Sequence, residues 1–149
     1  MSLTIGIDPG SRITGYGLVE MRGRDIVFVG SGIIGTGEKK PIEERLLAIK
    51  RSLDEVMARY HPTALAVEEI FMAKNPKSTL TLGQARGIAL LVAAEAGIPV
   101  FEYSSREVKS SVTGAGGADK SQVAAMVARL MRLDHEPESE DETDALAVA

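Results

Sequence analysis

Four carboxylates carry the most legible chemistry in this chain of 149 residues. Asp8 closes the apolar run LTIGID and stands directly before Pro9-Gly10. Glu68 lies in LAVEEIF, where apolar residues flank the Glu68-Glu69 pair on both sides. Asp141 and Asp144, three apart in DETDALAVA, share one face of a predicted helix start. A carboxylate at the end of a buried strand is costly unless something compensates it: a hydrogen-bond network, a phosphate-facing loop or a metal ion. Parallel neighbouring strands would bring Asp8 and Glu68 to the same sheet end, where open α/β sheets place their ligands. With no histidine or lysine among them, the four acids form an oxygen-only donor set, which suits Mg²⁺ or Mn²⁺. Two such ions about 3.5–4 Å apart are the usual apparatus of phosphodiester hydrolysis.

Each acid alone also has a plainer explanation. Asp8 before Pro-Gly is a common turn residue. Only one of Glu68 and Glu69 can point inward from a strand, and the other is then an edge charge. Asp141 and Asp144 are equally at home as acids favoured by a helix N-terminal dipole. Their convergence from three distant segments outweighs any one of them.

Two basic segments accompany the acids. The loop FMAKNPKS pairs Phe71 with Lys74 and Lys77, so the ring would stack on an unpaired base while the lysines hold phosphates. A core Phe beside solvated lysines fits the composition equally well. GAGGADKS, residues 114–121, nearly matches the phosphate loop G-x-x-x-x-G-K-[ST], but Asp119 stands where its last glycine belongs. No strand precedes it and an acid would repel phosphate, so Asp119 is expected to cap a helix with Lys120 in its first turn. His61 and His135 have no partner motif and receive no role.

These residues must be positioned by elements the pattern also predicts. Strands are expected at 3–8, 13–20 and 26–34, separated by turn signals at Pro9-Gly10 and Arg22-Gly23. Apolar positions 42, 46, 47, 49, 53, 56, 57 and 60 repeat near 3.6 and predict an amphipathic helix over 42–60. A buried strand follows at 64–71, a polar loop at 72–78, and a helix from Ser78 to Ala96 that stops at Gly97. That helix is apolar on more than one side, which suggests core on one face and a partner chain on the other. A fifth strand at 99–105, a short helix from Arg106, a helix over 120–133 and a final helical start at 142–149 complete the order. An antiparallel meander followed by crossover units implies a mixed five-stranded sheet flanked by helices, in an α/β domain over residues 1–149.

Composition bounds the classes. With no cysteine, disulfides, zinc–thiolate sites and thiol nucleophiles are excluded. No apolar run approaches the roughly 20 residues of a membrane span, and no signal-peptide pattern opens the chain, so a cytoplasmic protein without a membrane partner is expected. The net charge of −4 is unevenly spread. Residues 133–149 hold seven of the 21 acids and no Lys or Arg, leaving 17 basic against 14 acidic residues, about +3, in the body.

With these residues in hand, the chain resembles the RuvC-type Holliday junction resolvases over nearly its whole length. The resemblance runs through GIDPGSRITGYG, VEEIFMAKNPKSTLTLGQARG, PVFEYSSREVK, GGADKSQV and TDALAVA. It implies a ribonuclease-H-like fold, a homodimer, and symmetric cutting of four-way DNA junctions by two-metal hydrolysis. Two Mg²⁺ per site are implied, with Mn²⁺ able to substitute, as is a branch-migration helicase complex as partner. It also implies a final helix that continues past Ala149. Asp8, Glu68, Asp141 and Asp144 would be the metal-binding catalytic acids, and Phe71 the aromatic near the crossover. Lys109 and Lys120 would stand near the scissile phosphate, and Arg86 of GQARG would touch the DNA backbone. One metal would activate water for in-line attack while the other stabilises the leaving 3′ oxygen. A basic path from 74–77 to Lys109 and Lys120 would carry the DNA, and binding should weaken steeply with salt.

Three rivals follow from the same features. An actin-like phosphotransferase also opens with an acid–glycine turn, but needs two domains and more phosphate loops than this length holds. A junction-binding protein that lost the chemistry would not need all four acids. A monomeric resolvase-like nuclease acting on RNA or another branched substrate is distinguished by its oligomeric state.

Overall fold

The structure, a computed structural model, describes residues 2–71 and 74–149. Five strands and five helices follow in the order β1 (Ser2–Asp8), β2 (Ile13–Arg22), β3 (Asp25–Gly35), α1 (Ile42–Tyr60), β4 (Ala64–Glu68), α2 (Pro76–Ala96), β5 (Val100–Tyr103), α3 (Ser105–Thr113), α4 (Lys120–Leu130) and α5 (Glu140–Val148). The strands form one mixed sheet in the order β3-β2-β1-β4-β5. β1, β2 and β3 pair antiparallel, while β4 runs parallel to both β1 and β5. This is the expected meander followed by crossovers.

Strand alternation divides the sheet into two faces. Ile5 and Ile7 of β1 and Leu65 and Val67 of β4 join Ile49 and Leu53 of α1 and Ala85, Ala89 and Val92 of α2 in the larger core. Their alternate neighbours Gly6, Asp8, Ala66 and Glu68 therefore turn to the other face. There a smaller core forms from Val19, Ala118, Val123, Val127 and Leu146, supplied by β2, the loop before α4, α4 and α5. α5 packs on β1, β2, β3 and β4, which makes it the element laid across the site face.

Local chemistry sets the boundaries. Asn75 caps α2, its side chain accepting from the Lys77 amide at 3.0 Å, with Pro76 as the first helical residue. The helix therefore begins two residues before the expected Ser78. The strand expected over 64–71 stops at Glu68 because its neighbour β5 ends there, in the pair Glu68–Tyr103. β5 is cut short in turn by Ser104, which forms a capping box with Glu107 and starts α3. α4 ends at Leu130 rather than 133, and Arg132 turns left-handed with φ 53°. Met72 and Ala73, part of the polar loop expected at 72–78, lie outside the described residues. Among the described residues no helix is long and apolar enough to cross a membrane.

Candidate active site

Asp8 and Glu68 become neighbours through strand register. Ile7 pairs with Val67 in the parallel β1–β4 ladder, so the next residue of each strand, Asp8 and Glu68, ends side by side on the α5 face. Glu68 lines a cavity of about 170 Å³ together with Asp8 and Asp144. Glu69 is exposed and gives its amide to the Tyr103 carbonyl at 2.8 Å, so the adjacent pair divides as strand alternation requires.

The third and fourth acids arrive on α5, and glycines allow it. A Cβ added to Gly15 would stand 2.2 Å from the Asp141 carbonyl oxygen, and one on Gly6 would stand 2.0 Å from that of Ala145. Gly17, directly across from Gly6, would meet Leu146 at 2.6 Å. The helix therefore rests on bare backbone and reaches closer to the sheet than any side chain would permit. Ser139 caps its start by accepting from the Glu142 amide at 3.1 Å, and the Ser31 hydroxyl donates to Glu142 at 2.9 Å, tying α5 to β3. Sequence reading treated these glycines only as strand residues. Their signal is visible only once the helix that crosses them is known.

Crowding of the acids is expressed in their protonation. Burial, then the charge of Asp144, then a hydrogen bond shared with Asp141 push the Asp8 carboxyl up to about 8. Asp144 is also raised, first by burial, against the lowering effect of Lys120. Among the described residues no group of three or more His, Asp or Glu side chains is arranged to hold a metal ion as it stands. The donor chemistry nevertheless fits a hard divalent cation. Three carboxylates face one cavity, and a fourth, Asp141, lies within hydrogen-bond reach of Asp8.

The basic residues divide. Lys109, half-buried on α3, and Lys120, first residue of α4, line the same cavity as the acids. Asp119 caps α4 through a box with Gln122, as its place before Lys120 predicted, and the preceding element is a helix rather than the strand of a phosphate loop. Phe71, three residues past Glu68, is 68% exposed, and Lys74 and Lys77 are exposed beyond it. Arg86 lies elsewhere. Its side chain is only 15% exposed and pairs with Glu102 of β5 at 2.7 Å, which gives it a partner within the chain. Ser105, at the first turn of α3, also lines the cavity and was not singled out from sequence. The Ser104-x-x-Glu107 capping signature just upstream is the signal that could have placed it there.

Carboxylates at the C-terminal ends of two adjacent parallel strands, faced by a helix bearing two more and by two lysines, form the arrangement that a nuclease on a ribonuclease-H-like sheet would use. Residues 4–149 match the family described as "Crossover junction endodeoxyribonuclease RuvC". The chain belongs to that family. A crossover junction endodeoxyribonuclease RuvC of Marinobacter nauticus is 52% identical over all of this chain and 84% of its own length. The structure of Thermus thermophilus RuvC in complex with a Holliday junction substrate superposes with a TM-score of 0.94 at 35% identity, covering 100% of this chain and 91% of that one. The yeast mitochondrial Holliday junction resolvase Ydc2, at 15% identity and a TM-score of 0.67 over 99% of this chain and 75% of its own, shares the fold.

Proposed function

We infer that this chain is a Holliday junction resolvase, an endonuclease that cuts four-way DNA junctions in recombination and repair. The observation that carries the reading is the meeting of Asp8, Glu68 and Asp144, from three separate elements, at one cavity that Lys109 and Lys120 also line.

Asp8, Glu68, Asp141 and Asp144 are the metal-binding acids, and the cofactor is two Mg²⁺ per site, with Mn²⁺ as a substitute. When bound, the ions supply a water of lowered pKa and stabilise charge on the leaving oxygen. The chain's own residues do the rest. Asp8, whose carboxyl is pushed up by burial and by its acidic neighbours, would give up its proton to ligate. Lys109 and Lys120 set positive charge beside the scissile phosphate, where it is worth most in the transition state. Phe71, exposed three residues past Glu68, stacks on a base unpaired at the crossover, and Lys74 and Lys77 hold flanking phosphates. Arg86 pairs α2 with β5 through Glu102 and is the further cation assigned to the DNA backbone.

The protein works as a homodimer in the cytoplasm, together with a branch-migration helicase. α2 supports the dimer: Ala85, Ala89 and Val92 are buried in the core, while Leu80, 71% exposed, and Leu91 stand on its outer side. Gly83 and Gly87 lie between those leucines with nothing near their Cβ positions, so a second helix could approach closely. Phe101 and Tyr103 of the sheet-edge strand β5 are exposed as well, but on the opposite face of the sheet, since they pair with Ala66 and Glu68.

Asp8→Asn tests the assignment. It should lower junction cleavage in Mg²⁺ by about a thousandfold or more while leaving junction binding within a few-fold. An Asp8→Asn protein that still cuts at near the parent rate would refute the role of that carboxylate.

A further inference from the structure

Lys120 stands at the boundary between two concavities. One is the catalytic cavity of Asp8, Glu68 and Asp144, and the other is an outer groove lined by Glu136, Glu138, Glu140 and Thr143. Its ammonium is drawn to the outer side, where Nζ lies 2.8 Å from Glu140 Oε2. Glu140 is the first residue of α5, immediately before Asp141, so the pair ties α4 to the helix that carries two of the acids. Divalent cations on Asp8 and Asp144 would remove the attraction those carboxylates exert on Lys120 and replace it with repulsion. Glu140, outside the catalytic cavity, is then the anion that keeps the ammonium at its rim.

We propose that Glu140 is the resting counter-ion of Lys120, which the scissile phosphate displaces when DNA enters. This rests on the nuclease reading of the adjacent cavity and adds to it a residue that competes with substrate. The exchange is inexpensive because the pair is wet, with side chains 69% and 73% exposed, and exposed ion pairs are weak. Glu140 therefore weakens substrate binding modestly and does not take part in bond cleavage.

The test compares the parent chain with Glu140→Gln, Glu138→Gln, Lys120→Met and the Lys120→Met/Glu140→Gln double variant. Cleavage of a labelled four-way junction in Mg²⁺ gives kcat and KM for the first three proteins, and junction binding in chelator serves for all five. Glu140→Gln should lower KM and the binding constant about two- to fivefold, with kcat within twofold of the parent. Glu138→Gln, which removes the same charge from the same groove, should change neither. In the Lys120→Met background, the Glu140→Gln gain in binding should vanish. An equal gain from Glu138→Gln, or a gain that persists without Lys120, would reduce the effect to general repulsion of DNA and overturn the proposal. So would an unchanged KM, or a fall in kcat, which would make the pair productive. A parent protein that cuts no junction would overturn the resolvase reading itself, before any variant is compared.

Discussion

Asp8 concentrates the tension of the site. Its carboxyl sits among three others on a face walled by α5, and burial and like charge hold its proton to about pH 8. The ordinary value is 3.8, so between these limits the unfolded chain binds fewer protons at this position than the folded one. Stability must then fall as pH rises through that interval. Asp8→Asn lacks the effect. In chelator, the melting temperature of Asp8→Asn should exceed that of the parent by a margin that widens from pH 5 to about pH 8 and then levels. A margin constant across that range, followed by thermal unfolding at matched ionic strength, would contradict the protonation state described here. The same proton explains why the acids can be brought so close. A charged quartet would repel, whereas a neutral Asp8 relieves that repulsion.

At the scale of elements, the seating of α5 decides whether four acids become one site. Gly15 faces the Asp141 carbonyl and Gly6 the Ala145 carbonyl, so an added methyl cannot be absorbed by rotating a flexible side chain. Gly15→Ala should cost about 1–3 kcal/mol of stability, seen as a drop of several degrees in melting temperature. Cleavage should fall further, by about a hundredfold, because Asp141 and Asp144 move with the helix. Parent-like activity in a folded Gly15→Ala protein would show that the close seat is not needed. Much of this frame was legible in the sequence. The 3.6-residue repeat predicted a helix over 42–60, which is the observed α1. Asp8, Glu68 and Asp144 were singled out because acids at strand ends and helix starts break an apolar pattern. The glycine seat was not legible, since a glycine in a strand signals only a weak side chain until its cross-face partner is known. Nor was the commitment of Arg86 to Glu102, which depends on how α2 lies beside β5. The strand ends misjudged at Phe71 and Ser105 were decided by pairing and capping, as at Tyr103 and Ser104, rather than by the apolar run itself.

For the whole molecule, the proposed pair of opposed cuts would need two sites and hence two copies of the chain. The outer side of α2 offers Leu80 and Leu91 over a glycine-flattened surface. Leu91→Glu places a charge on that surface, where Leu91 is exposed in the single chain, so folding should be preserved while association fails. Sedimentation should show a monomer, and paired nicks should become isolated ones; a variant that remains a dimer would move the interface elsewhere. The most direct test of the whole account is cleavage of a labelled four-way junction beside a linear duplex of the same sequence, in Mg²⁺ and in chelator. The account predicts paired nicks in opposing strands, on the junction only and with metal only. Equal cutting of the linear duplex, or nicks that survive chelation, would contradict it.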